Sequence, residues 1–146
     1  MVLKKIFVYT DGGSRGNPGP AAIGILITNE NGKVIYKHGE YIGKKTNNQA
    51  EYTALIKALK NASEHFHGEA SCFSDSELMI RQLNGEYKAR NPGIKELFLK
   101  IKELEENFEK ISYTHVRREN KNIIVVDGIV NKVLDEVNSI STPFHN

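Results

Sequence analysis

The sequence predicts an α/β domain built on a five-stranded mixed sheet, strands 1–3 antiparallel and strands 4 and 5 parallel. Two observations carry this. Three strand-like segments open the chain before any helical periodicity begins, and two later strand-like segments are each reached through a helical stretch, with a last helix closing the chain. Strands joined by short turns pair antiparallel, whereas strands reached through helices return parallel, so helices layer on the sheet.

The first strand runs from about Lys4 to Asp11, where the apolar run Ile6 to Tyr9 gives way to GGSRGNPGP through Pro20. Ala22 to Asn29 is the second. Asn31-Gly32 is a strong hairpin signal for a type I′ turn, in which both central residues take positive φ, and it leads into a third strand, Lys33 to Ile42. Thr46, Asn47 and Asn48 supply cap chemistry for a helix to about His65, with Ala50, Ala54, Leu55, Ala58, Leu59 and Ala62 at helical spacing. Gly68 ends that region. Ala70 to Ser74 reads as a short strand, and Ser76 to Leu83 as a helix stopped at Asn84-Gly85. Asn91-Pro92-Gly93 is a turn before an amphipathic helix, Ile94 to Phe108, with Leu97, Ile101, Leu104 and Phe108 on one face. Lys110 to Val116 alternates as a strand, and Gly128 to Val137 forms the closing helix.

A chain of 146 residues with 39% hydrophobic content is one domain with room for a core, expected over residues 1–140, with 141–146 a flexible tail. The runs Ile6 to Tyr9 and Ile123 to Val126 are far too short to span a membrane, and the N-terminus lacks the apolar core of a signal peptide. A single cysteine, Cys72, has no internal partner for a disulfide or a zinc pair, so a cytoplasmic protein, a monomer by default, is expected. A net charge of +2 does not by itself argue for nucleic-acid binding. Its distribution says more: Lys44 and Lys45 precede a polar cluster, and Arg81, Lys88, Arg90, Lys95, Lys100 and Lys102 outnumber Glu77, Glu86 and Glu96 among them. Any one such run is more often a solvated helix face.

Four acids stand where folding alone would place something apolar or a plain cap. Asp11 ends an apolar strand, although, taken alone, it is better explained as a turn residue before Gly12-Gly13. Glu51 shares the helical stripe of Ala54, Leu55 and Ala58. A helix dipole accounts for a first-turn glutamate but not for its face. Asp75, ahead of Ser76 and Glu77, is as readily an N-cap, and so is Asp127 between Ile123–Val126 and Ile129-Val130. Taken jointly, four such carboxylates would repel unless a cation compensates them, and hard oxygen ligands suit magnesium or manganese. His38, His65 and His67 lack zinc spacing and read as surface residues.

TDGGSRGNPGPAAIG (10–24), KTNNQAEYTAL (45–55), SDSELMIRQLNGEYK (74–88), HVRREN (115–120) and VDGIVN (126–131) resemble, in order and distance, the motifs of the type 1 ribonuclease H family. The resemblance covers nearly the whole chain. It implies a five-stranded sheet with helices on both faces and hydrolysis of the RNA strand of RNA/DNA hybrids, leaving 5′-phosphate and 3′-hydroxyl ends. The family's catalytic acids fall on Asp11, Glu51, Asp75 and Asp127, holding two Mg2+ ions for which Mn2+ can substitute. In that scheme Asp11 bridges the ions, Glu51 and Asp75 hold the one nearer the leaving group, and Asp127 the one nearer the attacking water.

The resemblance also implies a substrate-binding set. Asn17, Asn47, Asn48 and Glu77 match positions facing the hybrid's minor groove, where 2′-hydroxyls distinguish RNA from DNA. Thr46 with Lys44 resembles a pocket for a phosphate of the DNA strand. Gly12, Gly13, Gly16 and Gly19 would let the backbone approach RNA closely. No Gly-Lys-Ser/Thr follows, so the glycines are not a nucleotide-binding P-loop.

Three features depart from the family pattern. Some members carry a histidine in the loop before the last acid; here that loop reads Val116, Arg117, Arg118, Glu119, Asn120, and Arg118 is the candidate for its role. KNIIVV separates Asn120 from Asp127, an apparent insertion. The span from Arg81 to Lys95 is too short for the extra basic helix of some relatives, and no hybrid-binding domain is expected before Met1, so affinity should depend strongly on salt. A catalytically silent hybrid-binding module, or a resolvase-like nuclease on the same scaffold, are the alternatives.

Overall fold

The computed structural model describes residues 3–141, with side chains described through Ser139. Five strands, β1 (Lys5–Ser14), β2 (Gly19–Asn29), β3 (Val34–Lys45), β4 (Glu69–Ser74) and β5 (Lys110–His115), form one sheet in the order β3-β2-β1-β4-β5. β1, β2 and β3 pair antiparallel, and β4 and β5 join in parallel, as the element order predicts. Four helices, α1 (Asn47–Ser63), α2 (Glu77–Leu83), α3 (Pro92–Glu105) and α4 (Lys121–Ser141), cover it.

Side-chain alternation sorts the helices between the two faces. Ile6 and Val8 of β1 with Ile23, Ile25 and Ile27 of β2 point one way and pack on Leu55, Leu59, Met79, Leu83 and Ile101 from α1, α2 and α3. Ala22 and Leu26 point the other way, onto Val130, Leu134, Ile123 and Val126 of α4. α1 is held at its start by a reciprocal capping box: the Thr46 hydroxyl accepts from Gln49 N–H, and the Gln49 side chain accepts from Thr46 N–H.

Several boundaries differ from the sequence reading. β1 does not stop at Asp11; it continues to Ser14 because Asp11, Gly12, Gly13 and Ser14 pair with Gly24, Ile23, Ala22 and Ala21. The β2–β3 turn is not type I′. Gly32 N–H closes it onto the Asn29 carbonyl with positive φ on Gly32 and not on Asn31. Asn91 caps α3, and Pro92 takes the first helical position, where its missing N–H costs nothing. α4 begins at Lys121, seven residues earlier than expected, with the Asn120 side chain accepting from the N–H groups of Asn122 and Ile123. The expected tail lies, from residue 142 on, outside the described residues; the helix itself reaches Ser141. His65 and His67 are exposed, whereas His38 is half-buried, stacked on Tyr36 and 3.1 Å from Glu40. No helix among the described residues is long and apolar enough to cross a membrane.

Candidate active site

The site forms where β1 outruns its parallel neighbour. The β1–β4 ladder ends at Tyr9 with Phe73, while β1 continues for five more residues. Extending that register by two places sets Asp75, immediately after β4, level with Asp11. The edge of β1 left open there is the notch into which the acids converge.

Each carboxylate arrives from a different element. Asp11 sits within β1 and is 7% exposed. Glu51 comes from the first turns of α1, and its Oε1 accepts the Gly12 N–H at 2.9 Å, tying α1 to the strand. Asp75 lies between β4 and α2 and is not the helix cap; Ser76 takes that place, accepting from Met79 N–H. Ligand oxygens of Asp11, Glu51 and Asp75 all lie within 4.8 Å of one another. Asp127 is not a helix cap either, because α4 starts six residues before it. It stands outside that tight trio but lines the same cleft of about 450 Å³, accepting from the Asn131 side chain at 3.4 Å.

This crowding is electrostatically unfavourable. Loss of solvent, then the charges of Asp75 and Asp127, push the Asp11 carboxyl from 3.8 up to about 8. Burial first, then Asp11 and Asp75, hold Glu51 well above its usual range. Burial also raises Asp75, opposed by the guanidinium of Arg118, which lines the cleft. Hard oxygens gathered from separate elements, shielded and mutually repelling, are a donor set fitted to a divalent cation that would neutralise them.

The substrate-binding candidates divide. Asn47 lines the cleft with Gly12 and Gly13. Its Oδ1 accepts from the backbone and hydroxyl of Ser14, and its own N–H donates to Asn17 Oδ1 at 3.0 Å, so Asn17 and Asn47 form one polar ridge. Asn48 is exposed beside them, and Thr46 is occupied in part by capping. Lys44, at the far end of β3 opposite Pro20, and Glu77, paired with Arg81 on α2, lie beyond the cleft wall.

Gly12 lines the cleft, and its missing side chain also serves the fold. It is buried, and a Cβ there would meet Ala50 C at 2.3 Å and Glu51 N at 2.5 Å, so glycine is required for α1 to seat against β1. At Gly19, likewise, a Cβ would stand 2.2 Å from the Arg15 carbonyl oxygen. The sequence reading also missed cleft residues Ser14, Arg15, Asn131, Val130 and Leu134. Arg15 pairs with Asp135 at 2.6 Å and joins the β1–β2 loop to α4. The helical spacing of Asn131 from Asp127 was the available signal.

A family model described as reverse transcriptase-like matches residues 9–133. Ribonuclease HI of Halobacterium salinarum is 37% identical over 132 residues, 90% of this chain and 65% of that protein, so this chain spans just under two thirds of its length. The crystal structure of RNase H1 from that archaeon matches with a TM-score of 0.85, covering 90% of this chain and 98% of that one. A structure of LC11-RNase H1 in complex with RNA/DNA hybrid matches at 40% identity and a TM-score of 0.85, covering 92% and 99% of the two chains. Ribonuclease H of Ehrlichia chaffeensis is 34% identical over 127 residues, covering 79% of this chain and 83% of that protein. With the family model spanning most of its length, a relative 34% identical covered over 83% of its own length, and the fold in agreement, this chain belongs to the type 1 ribonuclease H family.

Proposed function

We propose that the chain is an endonuclease that hydrolyses the RNA strand of RNA/DNA hybrids, leaving 5′-phosphate and 3′-hydroxyl ends. The observation that carries this is the trio Asp11, Glu51 and Asp75, drawn from three elements into one notch, with Asp127 from a fourth facing the same cleft. These four acids would hold two divalent cations, Mg2+ with Mn2+ able to substitute. Bound there, such cations supply Lewis acidity toward a phosphate and favour ionisation of water near neutral pH.

The chain's own groups do the rest. The Asn17–Asn47 ridge, with Asn48 beside it, offers amide donors and acceptors to the 2′-hydroxyls of the RNA strand, which duplex DNA lacks. Thr46 keeps its hydroxyl hydrogen while accepting from Gln49 N–H, so it remains able to donate to a phosphate oxygen of the DNA strand, with Lys44 supplying charge. Arg118, on the cleft wall beside Asp75, holds positive charge where the scissile phosphate would lie. Glu77 borders this surface from α2. Residues 1–140 form the proposed catalytic unit, monomeric and cytoplasmic, where Cys72 stays reduced.

Cleavage of an end-labelled hybrid with Mg2+, run beside duplex DNA, duplex RNA and a four-way junction, tests the proposal. Hybrid-specific cutting with the stated ends is expected. Cutting of the junction instead would point to a resolvase-like nuclease, and hybrid binding without cutting to a silent binding module. Asp11→Asn should abolish cutting while hybrid binding persists.

A further inference from the structure

Gly24 stands directly opposite Asp11 in the β1–β2 register. An isolated glycine in the apolar strand AAIGILI invites the question of what approaches it. The answer is the backbone of α4: a Cβ at Gly24 would stand 2.5 Å from the Val126 carbonyl oxygen, and 3.3 Å from Val126 C and from Ile129 Cβ. None of these atoms can swing aside as the end of a long side chain can. A methyl group here must move the helix or the strand. Asp127 is the residue after Val126, so the missing side chain lies where one acid-bearing element rests on another.

We propose that Gly24 is a positioning residue for Asp127: its lack of a side chain sets how closely α4 seats on β2, and hence how far the Asp127 carboxylate reaches toward Asp11. This assignment rests on the reading of Asp127 as a cation ligand. Two observations separate it from ordinary close packing. Gly39 on β3 also lies under α4, but a Cβ there would meet only β-branch methyl groups of the helix, Ile129 Cγ2 at 2.5 Å and Val133 Cγ2 at 3.1 Å, and none of its backbone atoms. Asp127 is held by Asn131 of its own helix and meets the sheet through a side-chain hydrogen bond with Asp11, the contact that the seating of α4 on β2 sets. Restoring van der Waals contact at Gly24 would require a shift of roughly 1 Å, several times the ~0.2 Å latitude of metal–oxygen distances.

The test uses the full chain and reads Mn2+ affinity by isothermal titration calorimetry, with hybrid turnover as a second readout. Asp127→Asn is expected to weaken Mn2+ binding about tenfold or more, and Gly24→Ala by a similar factor. If Gly24 acts through Asp127, the double variant binds no more weakly than the poorer single variant. Gly39→Ala, which meets no backbone atom of α4, should weaken binding less than Gly24→Ala does. Asp127→Glu, one methylene longer, should recover affinity in the Gly24→Ala background while weakening binding in the wild-type background. Turnover should fall in kcat with KM for hybrid held.

Wild-type affinity in Asp127→Asn would refute the ligand reading and the positioning role with it. Weakened binding in Asp127→Asn beside unchanged binding in Gly24→Ala, or effects that multiply in the double variant, would overturn the positioning role alone. Loss of a cooperative melt in Gly24→Ala would overturn it too, since the glycine would then serve the whole domain.

Discussion

Replacing Asp11 with asparagine should make the metal-free protein more stable, and the gain should grow with pH. Asp11 is buried, and lost solvation together with the charges of Asp75 and Asp127 carries its carboxyl from 3.8 to about 8. An acid whose folded pKa is raised binds more protons folded than unfolded between those values. Stability therefore falls as pH rises through that window and is lowest above about 8. Taken alone, a rise of that size corresponds to on the order of 5 kcal/mol. The penalty is shared, however, since protonating one acid relieves its neighbours, and a net gain of about 2–3 kcal/mol is expected near pH 8.5 and under about 1 near pH 5.

Calorimetric melts in EDTA and in excess Mg2+ would measure this. At about 3 °C per kcal/mol for a domain of this size, Asp11→Asn should melt roughly 6–9 °C above wild type in EDTA near pH 8.5. Magnesium at about a hundredfold over its Kd should return about 2.7 kcal/mol to the wild type and much less to the variant, so the order narrows or reverses. A variant that melts below wild type in alkaline EDTA, or equal gains for both with magnesium, would refute the account of the notch as a repulsive cluster awaiting a cation.

Asp75 and Ser76 should separate chemistry from capping: Ser76→Ala is expected to cost about 1 kcal/mol of stability in urea melts with hydrolysis retained, and Asp75→Asn to lose hydrolysis at little cost in stability. Tyr52→Phe should cost about 1–2 kcal/mol, because the buried Tyr52 hydroxyl donates to Gln82 Oε1 at 2.6 Å and its loss strands that oxygen; kcat should not change. The Lys57 ammonium hydrogen-bonds Glu40 and holds its carboxyl below the usual 4.5, so the pair's stabilisation is present above that pH and lost as pH falls through the lowered value. Both groups are about a third exposed or more, so Lys57→Met should cost only about 0.5 kcal/mol near pH 7 and less near pH 3, as paired melts would show.

What was legible in the sequence is what neighbours within a few residues decide. The cap at Thr46, the stop at Asn84-Gly85 and the short strand after Gly68 are local, and each appears close to where it was read. The misreadings fall where distant residues decide. Gly12-Gly13 look like loop residues until Ile23 and Ala22 pair with them. The stripe of α4, Ile123, Val126, Val130 and Leu134, steps by three and four, yet it is visible only if Asp127 is allowed inside the helix. Taking Asp127 as a cap cut that stripe in two. Gly128 encouraged the error, but it is exposed, with open space where a side chain would be. The four acids stood out only jointly, since a turn or a cap would account for Asp11, Asp75 or Asp127 alone; their meeting, and the role of Gly24, are matters of register that the chain's order does not display.

The same logic explains why these carboxylates remain free to bind. An aspartate that caps a helix spends its oxygens on backbone N–H groups, as the side-chain oxygens of Asn91 and Asn120 do here. Beside each of three acids, another residue has taken that task. Thr46 and Gln49 cap α1, so Glu51 need not turn back toward the helix start. Ser76 caps α2, and its own N–H is satisfied by Ser74 Oγ at 3.0 Å, so Asp75 sits between a finished strand and a finished cap. Asn120 caps α4 and frees Asp127 to lie in the second turn, on the side facing β1. The hydroxyl and amide residues flanking the acids thus do the folding work that the acids would otherwise do, and the carboxylates are left crowded in a notch whose repulsion protons relieve at low pH and a divalent cation would relieve at higher pH.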